Sequence, residues 1–348
     1  MNRPSTLPQV GAWLPVVLLV IVAYVVPRFM NSDYLFEAIL LPFLALSLAG
    51  VGLNVLTGYT GQVSLGSAAF MAIGAYAAFN INLRVAGVPL PVTILAAGVI
   101  AAVVGVAFGL PSLRLRGFYL AVSTLAAQFF VQWALTKFPW FSNDSNSGVI
   151  DAPNLQVAGI SFVSPQGRYD FSLTVVVLLT ALSWRLVSVK TGRDFMAVRD
   201  HETAARIVGV PVLKAKLVAF AFSSFIIGVA GVLWAFNYLR MVEPGGFNLD
   251  RSFQILFIVI IGGLSTIRGA FFGAAIIVVL PLLLARASSS FVGGGLDAGS
   301  LDMLQRILLG ALIIGFLIAE PDGLAALSQR VTKGLAGRVR PQASPATR

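Results

Sequence analysis

The sequence has no cysteine and a single histidine among its 348 residues. Without thiols there are no disulfides, thiolate metal sites or cysteine nucleophiles, and one imidazole excludes multi-histidine metal sites and makes a histidine-centred triad improbable. Charge is also scarce. Only 11% of the residues are Asp, Glu, Lys or Arg, less than half of the ~25% found in soluble globules. Hydrophobic residues make up 57% of the chain and the mean hydropathy is +0.89, so its main solvent is lipid. Acids are scarcer than bases, 14 against 24 for a net charge of +10. On a soluble protein that excess could indicate nucleic acid. A basic stripe needs a soluble domain to sit on, however, and multi-span membrane proteins gather Lys and Arg in cytoplasmic loops, so no nucleic-acid partner is expected.

What the sequence does have is a series of uncharged apolar runs. Ten are present, at Gly11 to Val26, Tyr34 to Leu56, Leu65 to Phe79, Val88 to Leu110, Phe118 to Leu135, Phe171 to Trp184, Leu217 to Phe236, Phe253 to Leu264, Ala270 to Leu284 and Leu304 to Ile318. These predict an all-α polytopic membrane protein of about ten transmembrane or re-entrant helical segments. A straight span needs about 20 residues, and several runs are shorter, notably Phe253 to Leu264. Irregular backbone at membrane depth survives only where protein or a water-filled cavity satisfies it, so the short runs point towards a pathway.

With ten spans and both termini cytoplasmic, 16 cations fall inside and 8 outside, while acids run five inside and nine outside, which is the direction the positive-inside rule demands. The first run lacks a small-x-small cleavage pattern and reads as a retained signal anchor. The stretch after Ser328 has five cations and no acid and reads as a disordered tail at the inner leaflet. The resulting divisions are residues 1–30 as N-terminal segment and first span, 31–325 as the membrane domain with a cytoplasmic loop at 185–216 and an outer loop at 137–170, and 326–348 as the basic tail.

Two Gly-rich breaks interrupt the apolar pattern without the charge that a water-facing loop usually carries. One is Gly58-Tyr-Thr-Gly-Gln-Val-Ser-Leu-Gly-Ser-Ala-Ala-Phe70; the other is Gly262-Gly-Leu-Ser-Thr-Ile-Arg-Gly269, followed by Ala270 to Ala275. Small residues there suit broken helices that expose backbone to a passage, and similar positions in the two halves would suit a parallel internal repeat. The spacings Gly105/Gly109 and Gly269/Gly273 suit close helix packing. Glu37 is almost the only ionisable residue within a span, so carboxylates for a proton or sodium relay are missing, which argues against an ion-coupled carrier. Asn54, Gln62, Gln128, Gln132, Ser123, Ser223 and Ser224 are expected to be interhelical hydrogen-bond partners.

The cytoplasmic loop contains Gly192-Arg-Asp-Phe-Met-Ala-Val-Arg-Asp-His-Glu-Thr-Ala-Ala-Arg-Ile-Val-Gly209, then Val210 and Pro211. It predicts a short helix capped by Asp200, with Glu202 in its first turn, Gly209 as left-handed stop and Pro211 blocking continuation. Small Ala204 and Ala205 would let another protein approach, and Arg193, Arg199, Asp200, Glu202 and Arg206 would give it polar handles. His201 reads as a solvated surface residue.

An Ala-Ala-x-x-x-Gly core after a Gly-Arg start, followed by an apolar span, resembles the coupling loop of ATP-binding cassette (ABC) importer permeases. The stretches Gly52-Leu-Asn-Val-Leu-Thr-Gly-Tyr-Thr-Gly-Gln-Val-Ser-Leu-Gly, Leu113-Arg-Leu-Arg-Gly-Phe-Tyr-Leu-Ala and Ile261-Gly-Gly-Leu-Ser-Thr-Ile-Arg-Gly-Ala resemble the branched-chain amino-acid permease family, specifically its LivM-type subunit. The resemblance covers about Tyr34 to Leu284. It implies a multi-pass subunit of the bacterial inner membrane that pairs with a second, related permease, two cytoplasmic ATPases and a periplasmic substrate-binding protein. It also implies an ATPase-coupling role for Gly192, Arg193, Arg199, Glu202, Ala204, Ala205 and Gly209, and a pathway-lining role for Gly58, Gly61, Gln62, Ser64 and Gly66. Asp200, as helix cap, joins the coupling group. No GxxxxGK[ST] phosphate loop is present, so ATP and its Mg would be handled by partner subunits and this chain carries no cofactor or catalytic site of its own. Thr203, rather than Glu, directly precedes the alanine pair, and the outer loop Phe141 to Asn154 is more polar than the family implies. A urea or short-chain amide permease of the same architecture remains an alternative, as does an ion-coupled secondary carrier.

Overall fold

The computed structural model describes residues 14–30, 32–85, 87–112, 118–145, 149–152, 156–157, 160–161, 164–291 and scattered positions between 299 and 325. The tenth apolar run lies mostly outside the described residues. So do residues 113–117 of the Leu113 motif and all of the tail 326–348.

Nine of the ten apolar runs fall on helices: α1 (Leu14–Met30), α2 (Leu35–Tyr59), α3 (Ser67–Arg84), α4 (Leu90–Ser112), α5 (Phe118–Lys137), α6 (Pro165–Ser188), α9 (Val212–Leu239), α10 (Leu249–Gly262) and α11 (Ile267–Phe291). Between α6 and α9 lie the short helices α7 (Lys190–Asp200) and α8 (Glu202–Ile207). Four helices, α2, α4, α6 and α9, are long and apolar enough to cross a membrane, and the protein is a multi-pass helical membrane protein. Two minimal strand pairs qualify the all-α expectation: β1 (Ile150–Asp151) with β4 (Met241–Val242), and β2 (Gln156–Val157) with β3 (Ile160–Ser161), both antiparallel.

Two of the expected loop boundaries move. Helix α6 starts at Pro165 after an N-cap in which Ser164 accepts from the Gly167 N–H, so Arg168, Tyr169 and Asp170 are helical rather than part of the outer loop. At its other end α6 continues to Ser188, and α9 begins at Val212, so the connection is shorter than 185–216. Apolar side chains extend the helices where counting only uncharged runs stopped.

Helices α2 and α9 form the centre. Almost every residue from Leu41 to Tyr59 is buried, as is the stretch from Ile226 to Asn237. By contrast α1, α4, α5 and α6 expose large apolar side chains, among them Leu19, Val103, Phe130, Trp133 and Leu178, as a lipid-facing rim does. Small residues bring the backbones together at the centre. A Cβ on Gly231 would fall on the Met71 carbonyl, one on Gly74 on the Gly228 carbonyl, and one on Gly52 against Ile226 and Ile227. The two GxxxG pairs work in the same way: Gly105 and Gly109 meet Ser224 and Phe220 of α9, while Gly269 and Gly273 meet the Gly262 and Ile258 carbonyls of α10.

Helices α2 and α9 pack antiparallel, the C-terminal π-helical turn of each lying against the body of the other. Each is followed by an irregular segment, 61–66 or 240–248, that leads back to a shorter helix, α3 or α10. The starts of these two helices meet, the Ala68 N–H donating to Ser252 Oγ at 2.9 Å. Gln128 of α5 joins them, accepting from the Ala69 N–H at 2.6 Å and donating to the Phe247 carbonyl at 2.8 Å. The two helix-break-helix units, α2 with α3 and α9 with α10, therefore lie against each other with their long helices running in opposite directions. The Gly-rich breaks at 58–70 and 262–275 touch through Ser265 and the Gly58 carbonyl. Gln128 and Asn54 are interhelical partners as expected.

Replacing Gly231 by Val should lower the stability of the detergent-solubilised protein by about 1–3 kcal/mol, because the added methyls must push α3 away from α9. Thermal unfolding relative to the parent chain measures this, and an unchanged midpoint would contradict the close crossing.

Candidate functional site

The cytoplasmic connection is two helices, and this alters one expected role. Asp200 is the last residue of α7, and the residue at the N-cap of α8 is His201, whose side chain makes no capping bond. Asp200 instead pairs with the neighbouring Arg199 at 2.8 Å. Its carboxylate is drawn to the guanidinium rather than to the amides of α8. His201 is exposed, as expected, and Gly209 has φ +89, the left-handed stop anticipated at this point.

Helix α7 is seated by Phe195 and Val198, both buried, against α9 and the last turn of α2. Gly192 is buried where a Cβ would fall on the Val187 carbonyl, so only glycine permits the tight passage from α6 into α7. Arg193 is exposed on the same helix. The alanine pair divides. Ala205 is buried against the body, Ala204 faces solvent, and with it Ile207 and Val208 are 81% and 83% exposed. The approach surface is thus Ala204 with Ile207 and Val208, and Ala205 belongs to its foundation. Glu202 anchors α8 to the base of α9 through Lys216 Nζ at 2.9 Å and also lies 3.4 Å from Arg206.

The structure brings Arg199 to both Gly-rich breaks. Its Nη1 donates to the Gly58 carbonyl at 3.2 Å and to Ser265 Oγ at 2.5 Å, while Ser265 Oγ donates to the same Gly58 carbonyl at 2.7 Å. Gly61, at φ +69, turns the chain directly beside the Arg199 side chain. Asn54 completes the junction. Its Oδ1 accepts the Ser265 N–H at 2.9 Å, and its Nδ2 donates to the carbonyls of Thr266 at 2.8 Å and Gly263 at 3.4 Å. One buried amide thereby satisfies three backbone groups of the 263–266 turn, which no helix can satisfy internally. Gly58 admits no side chain, because a Cβ would overlap Asn54 Oδ1 and crowd the Ser265 N–H.

Beyond this junction the chain is irregular from Gly61 to Gly66, with Gly61 and Val63 exposed and Gln62, Ser64 and Gly66 buried. Gln62 donates to Thr60 Oγ1 at 2.9 Å, the Leu65 N–H donates to Thr124 Oγ1 at 2.9 Å, and a Cβ on Gly66 would approach the Thr124 carbonyl. Of the residues singled out in the sequence, Gly58 and Gly61 share one junction with Arg199, while Gln62, Ser64 and Gly66 follow along the irregular segment. Gly192, Glu202, Ala204, Ala205 and Gly209 are spread over the two short helices. Sequence reasoning placed no role on Asn54 at the second break or on Ser265. Their only signal was a polar residue in an apolar run and a serine inside a Gly-rich turn.

The cytoplasmic connection thus pairs a helix with an exposed apolar tip, α8, with a helix tied by Arg199 to two breaks in the membrane helices, α7. The branched-chain amino acid transport system permease component family matches residues 35–317. The chain belongs to that family. It is 31% identical to the high-affinity branched-chain amino acid transport system permease protein LivM of Escherichia coli strain K12, over 80% of this chain and 67% of that protein. The LivM protein of Salmonella typhimurium strain LT2 is 29% identical over 84% of this chain and 70% of its own length. A probable LivM protein of Methanocaldococcus jannaschii is 25% identical over 83% and 93%. The chain is therefore a membrane permease component of this family.

Asn54→Leu should cost about 1–3 kcal/mol of stability by stranding buried backbone groups of the 263–266 turn. Asn54→Asp, which buries a carboxylate against the Thr266 and Gly263 carbonyls, should cost at least as much. Thermal unfolding of both purified variants tests the pairing, and midpoints equal to that of the parent chain would refute it.

Proposed function

We propose that the chain is one of two membrane subunits of an ABC importer in a bacterial inner membrane. It passes branched-chain amino acids, delivered by a periplasmic binding protein, across the bilayer under the drive of two cytoplasmic ATPases. The orientation that fits is ten spans with both termini cytoplasmic, supported by the 16-to-8 division of cations. The observation that carries the mechanism is the Arg199 junction.

In this reading an ATPase groove receives the tip formed by Ala204, Ile207 and Val208. Closure of the ATPases moves α8, and the Glu202–Lys216 pair carries that displacement into α9. The same displacement reaches α7, whose Arg199 pulls on Gly58 at the end of α2 and on Ser265 between α10 and α11. Both breaks sit where a few backbone dihedrals can change without unmaking a helix, so they serve as hinges for alternating access. Gly61, Gln62, Ser64 and Gly66 then line or reshape the passage as the irregular segment moves. The roles of Gly192 and Gly209 are to hold the angles at which α7 and α8 leave their neighbours. No covalent chemistry falls on this chain.

Two variants separate docking from transmission. Val208→Asp places a charge on the exposed tip and should abolish copurification of the ATPase subunits while the permease itself stays folded. Arg199→Ala should keep the ATPases bound but reduce ATP-dependent leucine uptake by about tenfold or more, with ATP hydrolysis continuing, because the link to the breaks is lost. Reconstituted vesicles measuring uptake and hydrolysis together provide the readout. Normal coupled uptake in both variants would overturn this function for the loop.

A further inference from the structure

The start of α10 holds a cation that no salt bridge pins among the described residues, although the neighbouring Asp250 carboxylate acts on it. Arg251 lies in the first turn of that helix, where the Asn248 side chain caps its backbone N–H at 3.1 Å. A positive side chain there opposes the helix dipole, and an ionisable group within a membrane protein's interior normally finds a counter-charge. Among the described residues no carboxylate lies within ion-pair distance of Arg251. Its Nη1 donates to Gln254 Oε1, and its guanidinium lies over the Trp234 ring, 4.0 Å from the centroid.

Unmade hydrogen bonds occur at the same place. Arg251 Nε and Trp234 Nε1 are enclosed donors without an acceptor, and Trp234 is only 3% exposed. Trp234 belongs to the π-helical end of α9 and packs its ring 4.6 Å from that of Tyr238. Such π-turns are costly to keep and are frequent at functional sites. The location is close to where the starts of α3 and α10 meet. Ser252, next to Arg251, receives the Ala68 N–H from the start of α3, and interfaces of this type between broken helices are where transported solutes bind.

We infer that Arg251 and Trp234 form a carboxylate-binding station on the translocation route, taking the α-carboxylate of an amino acid between Arg251 Nε and Trp234 Nε1. This rests on the importer reading above and deepens it, because a neutral solute such as urea gives an unpaired guanidinium nothing to neutralise. Two enclosed donors and a positive charge match a carboxylate, which accepts charge-assisted bonds at both oxygens.

The test uses the complete importer in proteoliposomes with L-leucine as the probe and urea as the comparison. With the parent complex importing leucine, Arg251→Gln should lower leucine uptake about tenfold at unchanged copurification of the ATPases, and Arg251→Lys should retain an intermediate rate because it keeps the charge. Trp234→Phe, which keeps the aromatic face and deletes the N–H, should lower uptake about threefold and decides the matter if Arg251→Gln does not assemble. Leucine uptake at the parent rate in an assembled Arg251→Gln complex, or in Trp234→Phe, would overturn the station and leave the importer reading standing. A parent complex that imports urea but not leucine would instead remove the amino-acid reading and the station with it.

Discussion

Every interruption of a helix inside lipid strands backbone donors and acceptors that water cannot reach, and this constraint shapes the protein. The chain breaks its membrane helices after Tyr59, between Leu239 and Leu249, and between Gly262 and Ile267. Each break is closed by a polar side chain from another element. Asn54 serves the 263–266 turn, Thr124 and Gln128 serve the approach to α3, and Ser252 joins α3 to α10. These are neutral groups, so the interior avoids the desolvation cost of buried charge. The same bonds that make the breaks tolerable also connect them, so a displacement at one is felt at the next.

Arg199 extends this network out of the membrane. A guanidinium offers five donors in a fixed fork, and here it spans Asp200, the Gly58 carbonyl and Ser265 Oγ. In the proposed mechanism, pulling α7 would load two breaks together, whereas a bond to one of them would merely tilt a single helix. The separate attachment of α8 to α9 by Glu202 and Lys216 supplies a second route. Burial of Ala205 and exposure of Ala204, Ile207 and Val208 make α8 a lever with a fixed foot and a free tip.

Charge appears inside the bundle at few points, and they behave differently. Arg168 is buried and held by Glu37 at 2.5 Å and by the Asn237 carbonyl at 2.9 Å, pinning α6 between α2 and α9. Sequence reading placed Arg168 in a loop, because the polar first turn of α6 hides the start of the helix. Arg251, by contrast, rests on an indole with no salt bridge to pin it among the described residues. The first arrangement pins helices together; the second leaves two enclosed donors, Arg251 Nε and Trp234 Nε1, without an acceptor.

Membrane class, the helical character of nine apolar runs, the family and the importance of the Gly-rich breaks follow from the sequence alone, because lipid imposes length and apolarity locally and glycine announces where a backbone must bend or approach. The division of the cytoplasmic loop into two helices, the split of the alanine pair, and the antiparallel packing of α2 on α9 emerge only in three dimensions. So does the meeting of Arg199 with both breaks and of Arg251 with Trp234. Those partners are far apart along the chain, and which side chain reaches which unsatisfied group depends on helix crossings that no local pattern encodes.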